Sequence, residues 1–379
     1  MPTLVFMPWC RIEKEYRVGN ITVIPFKVFE KPGILDALGT CQARALLSPY
    51  KNLRGESINE AALIRYSEKE ILSDLTNDEV EDIRDCLDLF CFSALARREY
   101  LCGAGSYCNA DRFTFFGKTF KNDVFFSTFI SRRRDGRTVD VRPLSWTSIS
   151  IPIHVSESGR IDIDEVLLSA LIDYRETDPN GDWPRWRNAI SCFNQANTDN
   201  DAVRQQVEWV LLCCAFQTVL GAKSKDKDVA SKFEQAMLPT TSLQMGSAAR
   251  KPASARKNSS IRYEWMKEFY RVRGDYAHGK MDTAQCLTWQ TGEHIVLATI
   301  AFPLVVRCLL SRAGKYTLGD QDQAEVDAFE GFTQIKFLEP LANQTTNMDS
   351  PWRRLVNDAW KELLDRKMEM LADGTAEQG

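Results

Sequence analysis

Apolar residues follow two different periods along this chain, and the change from one to the other predicts where it divides. Thr3 to Trp9 and Tyr16 to Phe29 are rich in β-branched and aromatic residues around Gly19-Asn20, which predicts an early hairpin. RFTFFGKTF from Arg112, DVFFSTFIS from Asp123 and SISIPIHV from Ser148 return to short strand-like runs, with Asn122-Asp123 as a turn. Between them, Thr76 and Glu79 stand at capping-box spacing ahead of Val80, Ile83, Leu87, Phe90, Leu95 and Leu101, so a helix is expected from Asp78 to about Tyr100.

After Glu157-Ser158-Gly159 the period is helical throughout. Asp162 and Glu165 open one helix to about Tyr174, and Asp182 with Pro184 opens a second. Asp199 precedes a helix from Ala202 to Leu220 that Gly221 ends, and Lys225 to Leu238 continues the pattern. Further helices are expected at Ser260 to Gly279, at Glu293 to Arg312, and from Ser350-Pro351 through Leu355, Trp360, Leu364 and Met368. Short connections favour an up-and-down bundle. The expected fold class is α+β: an N-terminal mixed strand and helix domain over 1–157, an all-α bundle over 158–373, and a disordered tail at 374–379.

Composition narrows the function. A chain of 379 residues with 44% hydrophobic content can bury a large core and is most simply two domains. The formal charge of −4 leaves neither half basic, so any nucleic-acid contact has to be a local patch. The longest apolar run, Ile295 to Val306, contains Pro303 and ends at Arg307, well short of the roughly 20 residues of a spanning helix, so it is expected in the core and no membrane is expected as a partner. Eleven cysteines and an opening, MPTLVFMPWCRIEKEY, without a secretory pattern point to the reducing cytoplasm. Cys213 and Cys214 read as packing residues. Cys86, Cys91, Cys102 and Cys108 lack the paired spacing of common zinc sites, and no metal is expected.

Two basic stretches stand out. Arg132, Arg133, Arg134 and Arg137 surround Gly136 and could hold phosphate or form a solvated loop. Arg250, Lys251, Arg256 and Lys257 lie in a Ser, Ala and Gly-rich crossover that leads into the next helix; they are candidates for RNA binding, or a disordered connection.

That next helix, SIRYEWMKEFYRVRGDYAHG from Ser260, carries the candidate chemistry. Tyr263, Met266, Phe269, Tyr270 and Ala277 recur at helical steps, Ser259 or Ser260 can cap the start, and Gly279 suits a left-handed closing residue. Arg273 falls on the apolar stripe and needs a partner there. It is either a structural arginine paired with a carboxylate, beside a packing histidine, or half of a functional pair with His278. No P-loop, dinucleotide fingerprint, HExxH or G-x-S-x-G elbow competes, and no cofactor is expected. The remaining histidines are His294 and His154, the latter expected in a strand of the first domain.

The run YRVRGDYAHG resembles the Arg-x4-6-His signature of HEPN domains, helical bundles that include many metal-independent ribonucleases, and it looks closest to the ApeA-like branch associated with abortive infection. Phe269, Tyr270, Arg273, His278 and Gly279 fill the places of that signature. RWRNAISCFNQAN from Arg185 and VEWVLLCCAFQTVLG from Val207 look like the preceding helices, so the resemblance covers roughly 160 to 315. It departs at Gly274, where active members often carry a polar residue, and at Gln217, where relatives often carry Glu; Asp275 could supply the missing polar group. The resemblance implies a HEPN-like helical domain with catalytic Arg273 and His278, supported by Asp275 and Gln217. It also implies an RNA substrate, a role as a toxin in anti-phage defence, and a phage-derived trigger sensed by the N-terminal domain.

The chemistry asks for a base at the 2′-OH, an acid at the leaving 5′ oxygen, and a cation on the charged phosphorane. His278 has the unperturbed pKa for proton transfer, and Arg273 has the planar fork for phosphate oxygens. One histidine cannot serve as both acid and base in one step. The two residues are also about 140° apart around a helix and about 7.5 Å apart along it. A two-fold homodimer with a composite active site resolves both points, and its interface is expected to bury the apolar face of this helix. The alternatives are a catalytically silent HEPN module that binds RNA or protein, and a structural adaptor.

Overall fold

Alternation along the first strands splits the core of the N-terminal part into two layers. β1 (Thr3–Met7), β2 (Tyr16–Val18), β3 (Ile21–Lys27), β5 (Glu60–Tyr66), β6 (Phe116–Asn122), β7 (Phe125–Ile130) and β8 (Thr138–Pro143) form one antiparallel sheet in the order β2-β3-β5-β1-β6-β7-β8. Phe6 pairs with Leu63, and Leu63 with Ile24, so these three share one face, where they pack beneath α1 (Ala37–Leu47) and beside Tyr50 of the short strand β4 (Tyr50–Lys51). One residue along, Val5, Ile64, Val23 and Tyr16 occupy the other face, and the Tyr16 ring meets Phe90 of α2 (Asn77–Leu95). Both faces are covered, which is why β1 reads as unbroken LVFM rather than as an alternating strand.

The chain, a computed structural model of which describes residues 2–28, 37–98, 100, 107–122, 125–130, 138–143, 148–155, 161–240, 259–277, 287–338 and 350–376, divides into two compact units. The first is Met1–Arg98, Cys108–Asp164 and Thr198–Asp201; the second is Glu99–Tyr107, Glu165–Asn197 and Ala202–Gly379.

Several local signals appear where their chemistry predicts. Gly19, at φ 57°, joins β2 to β3. Thr76 Oγ1 accepts the Glu79 N–H while Glu79 Oε2 accepts the Thr76 N–H, closing the capping box of α2. That helix stops at Leu95 and not near Tyr100. The Ser93 carbonyl accepts the Asp164 N–H, and Arg97 pairs with the buried Asp164 carboxylate at 3.2 Å, so a distant segment takes over the last turn. The run SISIPIHV forms only β9 (Ile149–Ser150), paired in parallel with β4, because Pro152 has no N–H and begins a turn closed by Val155 N–H to Pro152 O. His154 therefore lies on a turn and not in a strand; its Nε2 sits 2.7 Å from Asp111 Oδ2.

The second unit is helical. α3 (Glu165–Thr177), α4 (Trp183–Ala196), α5 (Gln205–Val219), α6 (Asp226–Ala236), α7 (Ile261–Ala277), α8 (Thr291–Arg312), α9 (Asp320–Gln334) and α10 (Pro351–Ala376) follow in chain order. Gly221, at φ 56°, closes α5 as expected, and Ser260 Oγ accepts the Tyr263 N–H at the start of α7. The core is aromatic: Phe193 stacks on Phe302, and Phe216 meets Phe233, Trp265, Phe269 and Phe302. α8 is long and apolar enough to cross a membrane by length and composition, but 78% of its apolar window is buried in the fold. α1 and α9 are helices beyond those expected from the sequence. In α10 the packed face is Trp352, Leu355, Val356, Ala359, Trp360 and Leu363, so Leu364 and Met368 are exposed rather than inward. The helix also continues past Asp373 to Ala376.

Candidate functional site

α7 is held on three sides before its last turn begins. Ile261, Trp265, Phe269 and Val272 form its buried centre line, and the Trp265 and Phe269 rings stack at 5.5 Å. Trp209 of α5 stacks on Phe269 at 4.9 Å and donates its indole N–H to the Phe269 carbonyl at 2.9 Å. From α8, His294 is fully buried among Trp209, Trp265, Phe269 and Trp289, with Nε2 3.1 Å from Glu268 Oε1. The stripe is thus centred on Trp265, whereas Tyr263 is half-buried and Ala277 exposed. The apolar face is already occupied within its own unit. It is not exposed for a two-fold partner; the half-buried and exposed positions of α7 include Arg271, Arg273, Gly274 and Ala277.

Arg273 comes out at the edge of that buried stripe, half-buried. Among the described residues its partner is a neutral phenol and not a carboxylate: Nη1 donates to Tyr270 Oη at 2.8 Å, and the guanidinium lies 5.2 Å from the centre of the same ring. Residues three apart on a helix share a face, so this pair is local. The rest of the chain of contacts is not. Tyr270 Oη donates to Gln217 Oε1 of α5 at 2.6 Å, and Gln217 Nε2 donates to Ser224 Oγ at 2.9 Å. Burial pushes the Tyr270 phenol above its ordinary pKa, against the opposing charge of Arg273, so the phenol keeps the proton it gives to Gln217. Arg273 Nε is buried and makes no hydrogen bond among the described residues.

These residues open onto a groove of about 920 Å³ between the start of α6 and the end of α7. Ser224, Lys225, Lys227, Tyr270, Arg271 and Arg273 line it, together with the carboxylates of Asp226 and Asp228. Asp228 is engaged, accepting the Lys223 N–H at 2.5 Å. Gly274 also faces the groove, and a Cβ there would meet none of the described residues within 4 Å.

Of the expected site residues, Arg273 and Gln217 are brought together through Tyr270, and Asp275 is half-buried in the last turn of α7. His278 and Gly279 lie outside the described residues, as do Arg250, Lys251, Arg256 and Lys257, the arginines from Arg132 to Arg137, and Cys102. Cys86, Cys91 and Cys108 are buried and in no disulfide, and burial pushes the Cys91 thiol well up. Tyr270 was legible in the sequence from its spacing to Arg273. Ser224, Lys225 and Lys227 carried no such signal, because α6 reaches the site only through packing. The chain matches no protein-family model, no curated protein and no solved structure.

Proposed function

We propose that the helical unit is a HEPN-type, metal-independent endoribonuclease in which Arg273 and His278 act on an RNA phosphodiester. The observation that carries this reading is the placement of Arg273. Its guanidinium is oriented by Tyr270 at the rim of an open groove whose lining holds four cationic side chains against two carboxylates. In the proposed step a base removes the 2′-OH proton and the 2′ oxygen attacks phosphorus. The 5′ oxygen leaves with a proton from an acid, giving a 2′,3′-cyclic phosphate and a 5′-hydroxyl end. Arg273 neutralises the phosphorane oxygens, and His278 moves a proton, a role worth about 10²- to 10⁴-fold in rate.

Since each protomer supplies one such histidine, the active unit on this reading is a homodimer with a composite site. The N-terminal unit is assigned to sensing a trigger, phage-derived if the protein serves cytoplasmic anti-phage defence. A second reading, a catalytically silent module that binds RNA, draws on Gly274, which leaves the position after Arg273 without a polar side chain. Purified protein incubated with total RNA in EDTA separates the two. Cleavage that persists in EDTA, leaves cyclic-phosphate ends and disappears in His278→Ala supports the ribonuclease; strict dependence on a divalent ion defeats it.

A further inference from the structure

We propose that the groove between α6 and α7 binds the phosphodiester backbone of single-stranded RNA next to the nucleotide being cleaved, with Ser224, Lys225 and Lys227 as its recognition edge. The inference rests on the ribonuclease reading for its substrate, but its own argument is hydrogen-bond bookkeeping. Arg273 has only donors, so Tyr270 Oη must use a lone pair toward it and send its own proton onward. That proton goes to Gln217 Oε1. The Gln217 amide is thereby oriented with its NH2 toward Ser224 Oγ, and Ser224 becomes an acceptor on that side. One arginine fixes the polarity of the whole chain. Ser224, whose hydroxyl also reaches toward Tyr270, and the guanidinium N–H groups that Tyr270 does not take both line the same groove.

Lys225, Lys227 and Arg271 add further donors with no acceptor capacity, all three exposed. A groove edge built of ammonium and guanidinium donors matches a ligand that is all acceptor along its length, which is the chemistry of a phosphate backbone. Asp226 and Asp228 hold the positive excess low, so affinity depends on where the donors stand more than on bulk charge. The groove volume lies within the roughly 300–1,000 Å³ span of small-ligand sites, and being open it lets a strand continue past.

The test uses the full chain and an oligoribonucleotide 2′-O-methylated throughout, which binds as a strand but has no nucleophile to be cleaved. Fluorescence anisotropy is measured at several salt concentrations, alongside cleavage of unmodified RNA. In the double variant Lys225→Ala/Lys227→Ala, affinity should fall about ten-fold or more, and the salt slope should lessen by about 1.4, since a single strand contributes about 0.7 per neutralised phosphate. Ser224→Ala, which removes a neutral donor, should weaken binding several-fold with the salt slope unchanged. All three side chains are exposed, so folding is not at risk.

Unchanged affinity and slope in the double variant, with the wild type still binding and cleaving, overturns the groove and leaves the ribonuclease reading standing. Groove-dependent binding without any cleavage upholds the groove and removes the ribonuclease. Failure of the wild type to bind the probe, or adenosine monophosphate bound as tightly as the oligonucleotide, overturns the assignment to an RNA strand.

Discussion

Tyr270 and Arg273 meet twice, through a 2.8 Å hydrogen bond from the guanidinium to the phenol and through the ring face 5.2 Å from the guanidinium carbon. Among the described residues no carboxylate pairs with the arginine, and the phenol that orients it, held above its ordinary pKa, carries no charge to cancel it. A carboxylate in the same place would have satisfied Arg273 and removed its use toward phosphate.

Tyr270→Phe should therefore keep the fold and lower kcat/KM for RNA about ten-fold, the equivalent of one charge-assisted hydrogen bond worth roughly 1.5 kcal/mol. Arg273→Lys should lose more, because an ammonium cannot reproduce the bidentate fork. The comparison needs steady-state cleavage kinetics with circular dichroism as the folding control. Full activity in both variants would leave Arg273 as a generic surface charge.

Mixed dimers test the composite site. Under subunit exchange, an excess of His278→Ala chains should depress wild-type cleavage below simple dilution. Strictly proportional loss, or a monomer that cleaves at full rate, rules out a shared site. Since the apolar face of α7 is buried within its own unit, substitutions at Ala277 rather than at Phe269 should disturb association without unfolding the chain.

Glu268 should give the helical unit an acid-sensitive stability. Burial acts to raise its pKa, but the His294 contact and the N–H groups of Thr288 and Trp289 outweigh that, and the carboxyl ends below the ordinary glutamate value. A folded-state pKa that is lowered contributes stability that is complete above the unfolded value, about 4.3, and is lost as pH falls through the folded value. Glu268→Gln should be about 1–3 kcal/mol less stable at neutral pH. Its stability should also fall less steeply than that of the wild type between about pH 5 and pH 3. Urea unfolding across that range measures both, and parallel acid limbs would refute the coupling.

Gly274 lies inside α7 without the positive φ that favours glycine, and no described residue stands within 4 Å of where a Cβ would be. Gly274→Ala should raise stability by about 0.5–1 kcal/mol through backbone entropy alone. Thermal unfolding reads the shift, and a loss of stability would mean that the last turn of α7 departs from helical geometry when the chain is free.

What the sequence determined by itself about this protein is what residues within a few positions of each other decide. The Thr76 and Glu79 capping box, the Gly19 turn, the left-handed Gly221 after α5 and the helices of the second unit other than α9 follow from contacts three or four residues long. The α+β character follows from the same local periods. The same locality put Arg273 beside Tyr270. Only the tertiary structure decided the rest, because the partners come from elsewhere in the chain. Asp164 ends α2 from far downstream. Trp209 and His294 move the buried stripe of α7 away from Ala277, and Gln217 and Ser224 reach the Tyr270 side because α5 and α6 pack against α7. Hydrophobic periodicity states that a face will be buried, but not against what. The orientation of Arg273 is settled by those long-range neighbours.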